Sequence, residues 1–185
     1  AARLAPCFAH HVPVGAGIGE GAGMAFTDFA IHDDGCGRFL LIDQGLSAHQ
    51  AGRMLQRLFE IEAYRMMALL ALPMARRLWP RLLAIEQTLA ELTARIAAGN
   101  KTPASGEDEG LLQALMGLAA EVESALAASQ ARFGASRAYH ALVTTRIDEL
   151  RERRIPGLQT IDEFMTRRLS PAMATCATVG QRLHD

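Results

Sequence analysis

Two short stretches hold every thiol and imidazole of the first 46 residues. One is Cys7-Phe8-Ala9-His10-His11; the other carries Asp28, His32, Asp33, Asp34 and Cys36. Thiolate, imidazole and carboxylate are the groups that zinc accepts, and three or four meeting at one point would hold a divalent ion. If the two stretches lie side by side, His10, His11, His32 and Asp33 are the expected ligands. A metal-dependent enzyme using the N-terminal cluster Cys7, His10, His11 and His32 is one functional expectation. Against it, neither stretch has the paired C-x-x-C spacing of a dedicated zinc site. Asp33-Asp34-Gly35 is also ordinary turn chemistry.

Gly17-Ile18-Gly19-Glu20-Gly21-Ala22 follows G-x-G-x-x-A. A dinucleotide loop needs a strand entering the glycines and a helix leaving them, because the helix N-terminus binds the pyrophosphate. Here Met24–His32, which reads as a strand, follows the glycines, and Pro13 weakens any strand before them. Val12–Phe26 is therefore expected to be a flexible connection or a bulged edge strand. Gly17–Gly23 should lie in a loop or irregular strand, and no helix should begin at Ala22.

His140 falls on an apolar seam with Ser129 and Ser136. It reads as a core histidine that sets register, with a buried switch or ligand as the functional alternative. Cys176 has no His or acid three or four residues away, so it reads as a small hydrophobe. Arg151, Arg153 and Arg154, with Arg167 and Arg168 across a turn, could grip an acidic partner or lipid phosphates. Glu149, Glu152, Asp162 and Glu163 are interleaved with them, the pattern of a solvated, self-paired surface. No Ser-His-Asp or Cys-His arrangement emerges. No catalytic residue is expected, and no cofactor other than the divalent metal.

The elements that must position these groups change character at Ser47. Met24–His32 and Arg38–Asp43 read as a β-hairpin about the turn Asp33–Gly37. A lone hairpin is marginal in water, so its partners are expected from strands before residue 1 or from another chain. Ser47-Ala48-His49-Gln50 is a capping box, followed by apolar residues at Met54, Leu58, Ile61, Leu69 and Leu72. Pro73 and Pro80 predict a kink or break near Leu72. Leu78, Leu82, Ile85, Leu89, Leu92 and Ile96 then form a heptad seam. Gly99 and Asn100 close that helix. A second seam runs from Leu112 through Leu115, Ala119, Val122, Leu126, Ser129, Phe133, Ser136, His140, Val143 and Ile147 to Leu150. Pro156-Gly157 breaks it, and Thr160-Ile161-Asp162-Glu163 caps a third helix with Met165, Leu169, Ala172, Cys176, Val179 and Leu183 on its seam.

The expected fold is mainly α, an α+β arrangement of a β-hairpin followed by three long antiparallel helices with coiled-coil-like packing. Residues 1–46 form the glycine-rich segment and hairpin, the edge of an incomplete α/β part. Residues 47–185 form a helical stalk, with helices at about 47–98, 107–154 and 160–185. Composition agrees: the 185 residues are 50% hydrophobic but only 5% aromatic, the mix of helix packing. With 19 basic against 20 acidic residues there is no excess for nucleic-acid binding. Cys7, Cys36 and Cys176 are odd in number and widely spaced, which fits a reducing compartment. The apolar run Met66–Ala75 is about half the length a spanning helix needs. The lack of a Met start and the unfinished last seam read as a piece of a longer protein.

Three stretches carry a resemblance: "FTDFAIHDDGCGRFLLID", "AGRMLQRLFEIEAYRMMALLALPMAR" and "RIDELRERRIPGLQTIDEFMTRRLSPAMATC". Together, from about Phe26 onward, they resemble the bacterial domain-of-unknown-function family 3422, described as predicted membrane-anchored proteins. The resemblance implies a longer protein with a continued helix and a C-terminal anchor of two spanning segments. This piece would then face the cytoplasm at the bacterial inner membrane. The family offers no established catalytic residues to carry over to this chain. The layout is similar, by fold-level analogy only, to CorA-type magnesium channels. The leading expectation is a non-enzymatic, membrane-anchored protein whose helical stalk associates with itself or with a protein partner. The cytoplasmic part of a divalent-cation channel is the alternative.

Overall fold

The computed structural model of the chain describes residues 4–9, 11–99 and 105–185. His10 lies outside them. The fold is mainly α with a small antiparallel sheet, as the patterning predicts. The strands are β1 (Val14–Ile18), β2 (Gly23–Thr27), β3 (Phe39–Asp43) and β4 (Arg153–Arg154). The helices are α1 (Ala48–Leu69), α2 (Leu72–Gly99), α3 (Ser105–Leu150) and α4 (Ile161–Arg182). They pack as two compact units: Ala1–Leu69 with Ser136–Met173, and Leu70–Ala135 with Ala174–Asp185.

The sheet order is β3-β2-β1-β4, antiparallel throughout. The predicted hairpin forms as β2–β3, pairing Gly23 with Asp43 and Thr27 with Phe39. Its first strand stops at Thr27 rather than His32. There Thr27 Oγ1 accepts the Phe29 N–H (3.2 Å), Asp28 Oδ1 accepts the Ala30 N–H (3.2 Å), and Phe29 turns to φ 51°. Such side-chain bonds offer the backbone an alternative to the ladder.

The expectation that the hairpin's partners come from outside is corrected: β1 of this chain pairs with β2, and β4 with β1. The glycine-rich stretch is also not an edge or a loose connection. Gly17 and Ile18 belong to a regular inner strand, with β2 on one side and β4 on the other. Gly19, Glu20 and Gly21 make the tight turn at φ 58°, 62° and 97°, and β2 follows directly. No helix begins at Ala22, so the nucleotide reading loses its helix N-terminus. Gly15 is required by contact rather than by φ. A Cβ there would lie 2.4 Å from Phe26 Cδ1 and 2.6 Å from the Ala25 carbonyl oxygen.

The capping boxes form as expected. Ser47 N–H donates to Gln50 Oε1 (2.8 Å) and Gln50 N–H to Ser47 Oγ (3.3 Å). Glu163 N–H donates to Thr160 Oγ1 (3.1 Å) and Thr160 N–H to Glu163 Oε2 (3.2 Å). The predicted break falls at Leu70 and Ala71. Pro73 then sits in the first turn of α2, where its missing N–H has no intrahelical partner to lose, and Pro80 is absorbed within the helix. α3 ends at Leu150, short of the expected 154, because Arg151 turns to φ 50° and Arg153–Arg154 join the sheet.

In the first unit α1 and α3 run antiparallel. Arg57 Nε bonds Glu149 Oε2 (2.8 Å), Arg146 bonds Glu60, the Tyr64 and Tyr139 rings stack 5.8 Å apart, and Ser136 Oγ donates to Ala68 O (2.9 Å). Ile61, Leu58, Leu150, Ile161 and Leu169 are buried in its core with Ala16, Ile18 and Ala25 of the sheet. The close contact at Gly15 generates a prediction. Gly15→Ala should destabilise the chain by about 1–3 kcal/mol through overpacking. Gly52→Ala, with open space in α1, should stabilise it by roughly 0.5–1 kcal/mol. Chemical denaturation of both variants checks this; equal effects would contradict the inner-strand packing.

Candidate functional site

The register of β1 on β2 decides which side chains meet. Val14 pairs with Thr27, so the residues just before β1 face those just after β2. His11 and Asp28 are brought together in this way. The Asx turn at Asp28, with Gly35 N–H donating to His32 O (2.8 Å) and His32 N–H to Cys36 O (3.1 Å), folds His32 back onto the same carboxylate. His11 Nδ1 lies 2.9 Å from Asp28 Oδ2 and His32 Nε2 lies 3.0 Å from it. The two imidazoles stack with centroids 5.3 Å apart. The Asp28 side chain is 0% exposed, that of His32 4% and that of His11 52%. One donor atom from each residue lies within 4.8 Å of the others.

The two imidazoles are not equivalent. His11 Nδ1 is hydrogen-bonded to the carboxylate. The close approach of His32 Nε2 is off the direction that a ring N–H would need, so this buried nitrogen has no hydrogen-bond partner. Such an orphan is uncommon and calls for an explanation.

A second layer fixes the loop. Arg65 bonds both carboxylate oxygens of Glu62 (2.7 Å each), donates to Phe29 O (3.2 Å) and lies over the Phe29 ring. That ring stacks on Phe164, 4.9 Å away. Phe29, in the left-handed region between Asp28 and His32, is thus held from α1 and α4.

Of the expected ligands, the structure brings His11 and His32 together. Asp33 is exposed and stands outside the cluster; Asp28, one of the five residues named in its segment, supplies the carboxylate. Cys7 and Cys36 are exposed free thiols. Arg65 and Glu62 carry no sequence signal, since an i, i+3 ion pair on a helix is commonplace.

The predicted arginine group does not converge on one partner. Arg151 pairs with Glu20 and Arg154 with Glu163. Arg154 and Arg167 line one shallow groove with Pro156, Gly157, Leu158 and Glu163. Backbone bonding from Thr160, then Arg154, holds the Glu163 carboxyl below its ordinary range. Cys176 is buried, and burial pushes its thiol up, away from reactivity. His140 is half-buried.

In the second unit the predicted seam is only partly covered. Ser129 and Phe133 are buried, and Phe133 packs where Gly180 has no side chain. Towards the start of α3 none of Leu112, Leu115, Ala119, Val122 and Leu126 is buried. Leu112 and Met116 are 59% and 65% exposed. Leu89 and Ile96 of α2 are exposed as well, and Leu89, Ala90, Thr93, Ala94 and Ala97 line a shallow groove. Arg81 bonds Glu121 (2.7 Å) and Met74, Leu78 and Arg81 face Ala128, Ala125 and Ser124, so α2 and α3 run antiparallel. Among the described residues one helix, Glu109–Leu150, is long and apolar enough to cross a membrane by length and composition; an 18-residue window within it has mean hydropathy 1.3, and none of that window is buried. Helices that pack on other helices share that composition.

Glu152 gives a testable consequence. It accepts the Ile161 and Asp162 N–H groups (3.0 Å each) at the start of α4, yet burial raises its carboxyl pKa. With the folded value above the unfolded one, the folded state binds the extra proton. Stability is then lost as pH rises from the ordinary glutamate value, about 4.3, through the raised one. Glu152→Gln lacks this titration. Its Tm relative to the parent should therefore climb across that window; a constant difference would contradict the burial effect.

The whole chain, residues 1–185, matches the family described as protein of unknown function (DUF3422), and the chain belongs to it. The match includes the glycine-rich start as well as the region from Phe26 onward. No curated protein and no solved structure matches the chain.

Proposed function

We propose that this DUF3422 chain is a non-enzymatic assembly module, the cytoplasmic helical part of a membrane-anchored protein, whose second unit docks a second copy of itself. The observation that carries the reading is the seam of α3. It keeps one three-four spacing from Leu112 to Leu150, but its first half is not buried. A helix pair buries one side of each helix; two such pairs placed face to face close a four-helix bundle. The small residues Ala90, Ala94 and Ala97 beside Leu89 would let a partner helix approach closely. Monomeric soluble proteins rarely leave contiguous apolar stripes of this kind in water. The membrane and cytoplasmic parts of the reading rest on the family resemblance and on no contact described above.

Sedimentation across a concentration range tests the reading. The chain should shift from monomer to dimer with rising concentration, and Leu112→Glu with Met116→Glu should hold it monomeric without lowering the Tm measured at concentrations where the parent is monomeric. A chain that stays monomeric at the highest concentration, or a double variant that still dimerises, would overturn self-association.

A further inference from the structure

We propose that His11, Asp28 and His32 form a binding site for a divalent first-row transition metal. Three observations carry it. His11 Nδ1 and His32 Nε2 lie 2.9 and 3.0 Å from Asp28 Oδ2, separations that neighbouring donors on one ion take at bonds of about 2.0–2.2 Å, and one donor atom of each residue lies within 4.8 Å of the others. His32 Nε2 is buried and unpartnered, and it faces the carboxylate from 3.0 Å. The ring axis at Nε2 points past the carboxylate oxygen rather than at it, which leaves room for an ion that touches both atoms. The remaining carboxylate oxygen is already committed, since Asp28 Oδ1 accepts the Ala30 N–H. That bond orients Oδ2 toward both rings, the role that outer partners play at metal centres.

The donor set selects the metal class. Two imidazoles with one carboxylate suit zinc and ferrous iron, whereas calcium and magnesium take oxygen ligands. Three protein ligands leave at least one position for water, and the half-exposed His11 marks the solvent side. A bound ion would tie the segment before β1 to the loop after β2. It would thereby lock the β1–β2 register from outside the sheet. The Arg65–Glu62 pair holds Phe29, so it acts as a positioning element for Asp28 and His32 rather than as a ligand.

Calorimetric titration of the chelator-treated chain with Zn2+ alone tests the site, with Mg2+ as the comparison ion. One Zn2+ should bind per chain, Tm should rise with Zn2+ by mass action, and Mg2+ should do neither. Co2+ should give the visible absorption of a low-symmetry nitrogen–oxygen site. His11→Gln and His32→Gln should each abolish the stoichiometric isotherm and the Tm rise, while His49→Gln, on the exposed start of α1, should leave both intact. His11→Gln carries the decision if His32→Gln weakens the apo fold, because His11 is half-exposed. No one-to-one Zn2+ binding, or binding that survives His11→Gln unchanged, would overturn the site and leave a histidine–aspartate hydrogen-bond cluster.

Discussion

The structure of the first unit turns on one close approach. β1 is an inner strand whose residues are mostly glycine and alanine, with β2 and β4 drawn against it on both edges. Gly15 touches the Phe26 ring edge and donates its N–H to Gln159 O (2.8 Å), and Gly17 faces Arg153. The residues that answer β1 on one side, 153–159, come from the link between α3 and α4. α3 must therefore stop at Leu150, and Glu152, Thr160 and Glu163 must cap α4 within ten residues. The helices and the sheet share one packing problem there, and small residues in β1 solve it.

The same pairing organises the polar chemistry. Because Val14 faces Thr27, the ends of β1 and β2 deliver His11 and Asp28 to one point. The left-handed turn at Phe29 returns His32 to that point, and Arg65 secures the turn. The sheet thus brings polar side chains together through backbone register, from segments 17 residues apart. The second unit follows different rules. Its helices are held by apolar spacing and a few ion pairs such as Arg182 with Glu86, so what it can bind is set by which stripe stays in water.

Much of this was legible in the residues. Ser47–Gln50 and Thr160–Glu163 declare their helix starts, because a cap is a local bond between residues three apart. Met54, Leu58, Ile61, Val143, Ile147, Leu169 and Val179 are buried where the three-four spacing places them. β1 was hidden because Val-Gly-Ala-Gly-Ile has no alternation to read; both faces are covered, and glycine usually marks a weak strand. β4 was hidden because two arginines in a charged run look like helix, and only pairing with β1 makes them a strand. The histidines were visible by type, but the choice of Asp28 over Asp33 depends on the β1–β2 register, which is non-local information.

Amide hydrogen exchange of the chain tests this account most directly. If β1 is an inner strand, the amides of residues 14–18 should exchange slowly, Gly15 included, on the timescale of the α1 and α4 cores. Exchange of Gly15 and Gly17 as fast as that of the exposed Asp33–Gly37 turn would contradict it, and with it the register that brings His11 to Asp28.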